Sequence, residues 1–260
     1  MAFFALGAIL ASFGVMYLSS RLGHVTCANG TYTFVQLRHT GMMTKRKMLT
    51  GVAVLALVLP ASAKEFVSFA RDAWDRGQWS VLRSPRWNYL HGFEQFDDCI
   101  ANETPGSKAV DWYSAMAYGR KLGTGDTVTV RMSFDDKFAP GIVIASELPE
   151  GKDGVKELRD HFEIILFEGG LNVWQYKYAD GKFVITKPAY LVAPFPNKTP
   201  LDVTVAVTEK SVIGGGKTRQ MTVTCGERVF GFRSDDIPVA FYVGINANEG
   251  RCRFHSFEVK

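Results

Sequence analysis

The chain has 260 residues, 47% of them apolar, 22% charged and 13% aromatic, which excludes a disordered or collagen-like polymer and allows one large domain or two small ones. Its formal charge of +4 comes from the first 63 residues, which hold Arg21, Arg38, Lys45, Arg46 and Lys47 and no acidic residue; the remainder carries 25 basic against 26 acidic groups. A part so balanced has no basic footprint for a phosphate backbone, so nucleic acid is not expected as a partner.

Read from Met43, the chain runs Met-Thr-Lys-Arg-Lys, then an apolar stretch from Met48 to Leu59, then Pro60-Ala61-Ser62-Ala63. This is a basic n-region, a short h-region and a small-x-small cleavage site, the pattern of a secretory leader over residues 43–63. The apolar run is too short to span ~30 Å of hydrocarbon as a helix. Residues 1–42 then have no place in front of the leader. Either the true start is Met43 and the upstream segment is over-called, or Ala2–Leu18 is a membrane helix stopped by Arg21. The folded domain is expected over residues 64–260, secreted or periplasmic, with no membrane partner once the leader is cleaved.

From Lys64 onward helix signals are scarce: a turn or two within Lys64–Trp79 and another within Gly154–Arg159. The rest reads as strands broken by Gly, Pro, Asn and Asp clusters. Asp126–Phe134 alternates, with Val128, Val130, Met132 and Phe134 on one side; Gly141–Ser146 is apolar on both faces, as a central strand is. Further strands are expected around Val203–Val207, over Met221–Cys225 and Arg228–Phe232 about a Gly226-Glu227 turn, over Val239–Ile245 and over Arg251–Val259. Around ten strands without intervening helices predict an all-β, two-sheet antiparallel sandwich.

The stretch with the most chemistry is Asp160–Tyr178. Gly169-Gly170 between two β-rich runs predicts a two-residue hairpin loop, which would set Phe167 opposite Asn172, Ile165 opposite Trp174, Glu163 opposite Tyr176 and His161 opposite Tyr178. All eight share one side of the ribbon, and Phe162, Ile164, Leu166, Leu171 and Val173 form the core side. The first side gathers a carboxylate, an imidazole, an amide and three aromatic rings. Pyranose rings stack their C–H faces on Trp and Tyr, and their hydroxyls need the donors and acceptors that Glu, Asn and His supply. A carbohydrate is therefore the expected partner, with Asn172, Trp174, Tyr176 and Tyr178 as contacts and Glu163 and His161 as candidate acid–base groups; Arg131, on the polar face of its own strand, either reaches the same cleft or is simply solvated. The competing expectation is that these aromatics only cover a sheet.

After Ala63 only Cys99, Cys225 and Cys252 remain, enough for one bridge. Cys225 reads as a buried free thiol; if the first and last strands pair, Cys99 and Cys252 are placed to form a disulfide in an oxidising compartment. No Cys/His spacing marks a metal site, and His91, His161 and His255 are far apart in sequence. No cofactor is implied, and a structural calcium is left open. Gly214-Gly215-Gly216-Lys217-Thr218 imitates a phosphate loop but has Ser211 where the pattern needs Gly, and a strand follows; a hairpin loop is expected instead.

The hairpin at 160–178, together with the closing sequence Val239-Ala240-Phe241-Tyr242-Val243-Gly244-Ile245 … Glu249-Gly250-Arg251-Cys252-Arg253-Phe254-His255-Ser256-Phe257-Glu258-Val259, resembles the concanavalin A-like lectin/glucanase jelly rolls over roughly residues 79–260. The resemblance implies a concave sheet that holds sugar, and a last strand lying near the first, which supports the Cys99–Cys252 pairing. The Glu-x-Asp-x-(x)-Glu strand of the glucanases is absent. A hydrolase needs a second carboxyl group at about 5–5.5 Å or 6.5–9.5 Å; Glu163 has none on its own strand, and a partner would come from elsewhere, such as Asp135, Asp136 or Glu147. Three functions remain: a carbohydrate-binding domain, a glycoside hydrolase or polysaccharide lyase using Glu163 and His161, and a non-catalytic envelope protein. Oligomeric state is not legible.

Overall fold

The computed structural model describes residues 19–27, 30–38, 64–87, 90–102, 113–135, 139–212 and 214–260. The chain divides into two units, Met1–Ser62 and Ala63–Lys260. In the first, β1 (Ser19–Cys27) and β2 (Gly30–Arg38) form an antiparallel ribbon with Cys27 opposite Gly30. No strand was expected there. The apolar stretch Ala2–Leu18 and the leader at 43–63 lie outside the described residues.

The second unit carries β3 (Glu65–Ser68), β4 (Trp79–Leu82), β5 (Phe93–Gln95), β6 (Ile100–Asn102), β7 (Tyr113–Gly123), β8 (Thr127–Phe134), β9 (Ala139–Ala145), β10 (His161–Phe167), β11 (Gly170–Ala179), β12 (Lys182–Val192), β13 (Leu201–Ser211), β14 (Lys217–Cys225), β15 (Arg228–Arg233), β16 (Ala240–Asn248) and β17 (Cys252–Val259). They form two antiparallel sheets. One has seven strands in the order β12-β11-β10-β9-β16-β7-β4. The other has eight, in the order β15-β14-β13-β8-β17-β6-β5, with β3 added against β17. The all-β sandwich read from the sequence is the observed architecture. Among the described residues the only helical element is a 3-10 turn at Arg76–Gln78, capped by the Asp75 carboxylate on the Gly77 N–H at 2.9 Å; the turn expected within Gly154–Arg159 is a pair of isolated bridges, Arg83 to Glu157 and Glu150 to Lys156.

Strand alternation builds the core. Val128, Val130, Met132 and Phe134 of β8 point inward with Val203, Val205 and Val207 of β13 and with Phe254, Phe257 and Val259 of β17. The facing sheet contributes Ile142, Ile144, Phe162, Ile164, Leu166, Leu171, Val173, Phe241, Val243 and Ile245. Phe257 wedges against Trp79 and Tyr118, ring centres 5.1 and 5.2 Å away. Each such fully buried side chain contributes about 1.5–3 kcal/mol. β9 is apolar on both faces because its second face is also covered: Val143 and Ala145 join Leu82, Tyr113, Ala115, Ala117 and Leu158 in a smaller cluster, with Trp87 and Leu148 packed on it. Segments 83–87 and 147–158 thus roof part of the outer face of the seven-stranded sheet.

The last strand does lie beside the first: Phe257 pairs with Val67 and Glu258 with Phe66. The expected Cys99–Cys252 disulfide does not follow; both thiols are free and buried, as is Cys225. Ile100 pairs with Phe254, both facing the core, and Cys252 faces it too. Cys99, one residue before Ile100, points to the opposite side of the sheet, where Arg253 reaches its sulfur at 3.9 Å. Neighbouring strands brought the two cysteines near in the sheet, but alternation turned them to opposite faces. The glycine run 214–216 connects β13 to β14, with Ser211 opposite Lys217, and binds no helix.

Candidate functional site

β10 and β11 form the expected hairpin, with one correction to its turn. Phe167 pairs with Gly170, so the loop is Glu168-Gly169 rather than Gly169-Gly170. His161 then lies opposite Tyr176, Glu163 opposite Trp174 and Ile165 opposite Asn172. Moving the turn by one residue moves the pairing by two, which leaves every side chain on its predicted face. Phe162, Ile164, Leu166, Leu171 and Val173 are in the core, and the chemistry-bearing residues face away from it. Gly170 is needed within the strand: its φ is +152°, and a Cβ there would sit 2.0 Å from the Leu191 carbonyl oxygen on β12.

A buried polar network lies on the outer side. Glu163 is 2% exposed and His161 3%. The Glu163 Oε1 atom accepts a hydrogen bond from the Tyr113 hydroxyl at 2.9 Å and lies 3.3 Å from His161 Nε2. The His161 Nδ1–H donates to the Arg159 carbonyl at 3.0 Å. The Tyr176 ring stacks on the imidazole at 4.6 Å with an interplanar angle of 2°. Arg86 Nη1 donates to the Tyr176 hydroxyl at 3.1 Å, and its guanidinium also lies over the Trp87 ring. Phe183 of β12 meets both the His161 and Tyr176 rings edge-on. A pocket of about 200 Å³ beside His161 and Tyr176 is lined also by Phe162, Asp160, Gln175, Lys177 and Asp236.

Burial raises both tyrosines above the ordinary phenol value of 10.0, and the Glu163 charge adds to this; at Tyr176 Arg86 opposes the shift. An unfolded chain would ionise these phenols near pH 10, whereas the folded one holds them neutral. Their contribution to stability is therefore complete below pH 10 and falls as pH rises above it. Melting curves taken from pH 8 to 11 are expected to show this alkaline decline, and Tyr113→Phe to flatten it; an equally steep decline in the variant would exclude Tyr113 as a source.

Nearer the sheet edge the outer face is open. Trp174 and Asn172 are half-buried, and Tyr190 of β12 is 61% exposed. The Lys187 ammonium lies 5.4 Å from the Trp174 ring centre and 4.9 Å from that of Tyr190. Tyr178 packs on Phe183 at 4.9 Å, its backbone N–H bonds Asp160 at 2.8 Å, and the Arg159 guanidinium covers its ring. Thus His161, Glu163, Asn172, Trp174, Tyr176 and Tyr178 share one face. Arg131 does not reach it. It projects from β8 on the other sheet and pairs with Asp202 at 3.1 Å. None of the carboxylates open as partners for Glu163 joins it among the described residues: Asp135 pairs with Arg253, Glu147 with Lys121, and Asp136 lies outside those residues.

Sequence reasoning missed Lys187 and Tyr190, although a signal existed. Asp180-Gly181 has the positive φ angles, 52° and 76°, of a tight hairpin turn, and it joins β11 to β12 with Ala179 opposite Lys182. That turn extends the ribbon by a third strand whose alternate residues add to the same face. Arg86 and Tyr113 had no such signal, since they arrive from strands and loops distant in sequence.

No protein-family model matches the chain, and no curated protein matches it. Solved structures do. A β-agarase A in complex with oligoagarose aligns with a TM-score of 0.52 at 6% identity, covering 77% of this chain and 94% of that one. A galectin-like protein of unknown function from Bacillus subtilis aligns with a TM-score of 0.52 at 9% identity, covering 75% and 94%. A variant of the Emp46p carbohydrate recognition domain aligns with a TM-score of 0.50 at 10% identity, covering 75% and 94%. At such identities these likenesses establish the fold. The sandwich has the concanavalin A-like lectin/glucanase fold, one shared by carbohydrate-binding domains and glycosidases.

Proposed function

We propose that this protein is an extracytoplasmic carbohydrate-binding domain that holds a poly- or oligosaccharide on the outer face of its seven-stranded sheet. One observation carries the reading: Trp174 and Tyr190 present their rings on one accessible surface with the Lys187 ammonium between them, beside Asn172. Aromatic planes flanked by amide and ammonium donors match the C–H faces and hydroxyl rims of pyranoses. The leader pattern at 43–63 supports export, and the fold is one that sugar-binding domains use. Lys187 and Arg86 have no carboxylate partner among the described residues, which favours a glycan bearing carboxylate or sulfate groups.

Binding is favoured over hydrolysis because Glu163 is buried and its Oε1 atom is already engaged by the Tyr113 hydroxyl and by His161. A second reading, acid–base chemistry on an acidic polysaccharide, draws on His161 and Tyr176, which line a pocket while Arg86 holds the phenol oxygen. A glycan array carrying neutral and acidic oligosaccharides, followed by calorimetry on the positive glycans, tests the proposal. Trp174→Ala and Tyr190→Ala are each expected to weaken affinity at least tenfold, about 1.4 kcal/mol, without loss of fold, since neither ring is in the core. Unchanged affinity in the double variant would remove the proposed surface. Turnover of the bound glycan, lost in Glu163→Gln with affinity retained, would establish the second reading.

A further inference from the structure

We propose that Asp98, Cys99 and His255 form a binding site for a divalent cation of the zinc type on the outer face of the eight-stranded sheet. The pairing of β6 with β17 sets Ile100 opposite Phe254, both facing the core. The same register, continued one residue outward, brings Cys99 beside His255 on the outer face. A tight turn, closed by the Phe96 N–H on the Cys99 carbonyl at 2.8 Å, brings Asp98 to the same point. One carboxylate oxygen of Asp98, the Cys99 sulfur and a ring nitrogen of His255 all lie within 4.8 Å of one another. Zinc bound tetrahedrally at about 2.0–2.3 Å from such donors separates them by roughly 3.3–3.8 Å, so small side-chain rotations close the site.

The surroundings suit a metal-bound imidazole. His255 Nε2 lies 3.1 Å from the Ser133 hydroxyl on β8, while Nδ1 faces Asp98 at 3.6 Å. The ring is thus steered from its far side, as the outer partners of metal-binding histidines do, leaving Nδ1 for the ion. Cys99 is wholly buried and Asp98 exposed, so the ion has an approach from solvent and a sheltered sulfur to bind. Arg253 donates to the sulfur at 3.9 Å and is itself held by Asp135 at 3.3 Å. Without an ion, burial prevails and the Cys99 thiol is pushed up to about 11. Binding therefore exchanges the thiol proton for the metal: the S–H bond breaks, a sulfur–metal bond forms, and the proton leaves to solvent. No electrons are transferred. Three protein donors leave a fourth position for water. The donor set mixes sulfur, nitrogen and oxygen, which suits zinc or cobalt(II) better than calcium or magnesium.

The test uses the reduced full chain, titrated with zinc by calorimetry and with cobalt(II) by absorption. The expected result is one ion per chain and a thiolate-to-cobalt charge-transfer band. Cys99→Ser should abolish the band, His255→Gln and Asp98→Asn should each weaken zinc affinity at least tenfold, and Ser133→Ala about tenfold. Cys225→Ser should change nothing. Absence of saturable binding, or affinity unaltered in both His255→Gln and Asp98→Asn, overturns the site. The exposed Asp98 keeps the test decisive should Cys99→Ser fail to fold.

Discussion

Glu163→Ala is expected to cost about 3–5 kcal/mol of folding stability, a fall in melting temperature of roughly 6–20 °C for a domain of this size. The carboxylate does more than fill space. It accepts the Tyr113 hydroxyl and meets His161 Nε2, and all three groups are almost wholly buried. Alanine removes the acceptor of the Tyr113 hydroxyl and the neighbour of His161 Nε2 where water cannot replace it, and each buried hydrogen bond so lost costs about 1–3 kcal/mol. Glu163→Gln keeps an amide oxygen for Tyr113 and is expected to lose about 1 kcal/mol. The difference between the two variants, read by circular dichroism on heating, separates the loss of a hydrogen-bond acceptor from the loss of a charge. Equal stability of the alanine variant and the native chain would show that the network contributes nothing to the fold and that Glu163 is retained for another reason.

That network also shows how far a sequence reaches. Which residues share a face follows from period-two alternation, so His161, Glu163, Trp174 and Tyr176 were placed together correctly even though the turn was set one residue late. The error was harmless because a one-residue shift of the loop changes the pairing by two, and parity survives. Which sheet a strand joins is a different matter. Arg131 alternates as cleanly as any residue in its strand, yet β8 lies in the opposite sheet, and nothing local distinguishes the two placements. The cysteines failed for the complementary reason: β6, which Cys99 directly precedes, does lie beside β17, but proximity of strands says nothing of which face each thiol takes. Tyr113 reaches Glu163 from fifty positions away, and Arg86 reaches Tyr176 from ninety. Such contacts are made by the wrapping of sheets and covering segments, not by any local pattern. The Asp98, Cys99 and His255 cluster was hidden in the same way, its ligands coming from the two ends of the domain.

Gly170→Ala should be among the most damaging single methyl additions in the sandwich, at about 3–5 kcal/mol. Two effects combine. A φ of +152° is one that residues with a Cβ rarely adopt, worth about 1–3 kcal/mol of strain. The added carbon also lands 2.0 Å from the Leu191 carbonyl oxygen, a backbone atom that cannot rotate aside. Nor can β12 withdraw cheaply, because just beyond it the Ala193 N–H bonds the Gly169 carbonyl at 3.1 Å and the Phe195 N–H bonds that of Glu168 at 2.9 Å. Gly181→Ala provides the comparison. Its φ is +76°, but nothing lies within 4 Å of the added carbon, so only the strain remains, about 1 kcal/mol. Urea unfolding of both variants should show a lower midpoint for Gly170→Ala by the larger margin with an unchanged slope. Because β12 carries Lys187 and Tyr190, the same variant should lose glycan affinity. The His161–Glu163 contact, held within β10, should be less affected. Equal midpoints for the two alanine variants would mean that β12 is free to move at its junction with the hairpin, and that the aromatic surface beside it is not rigidly held.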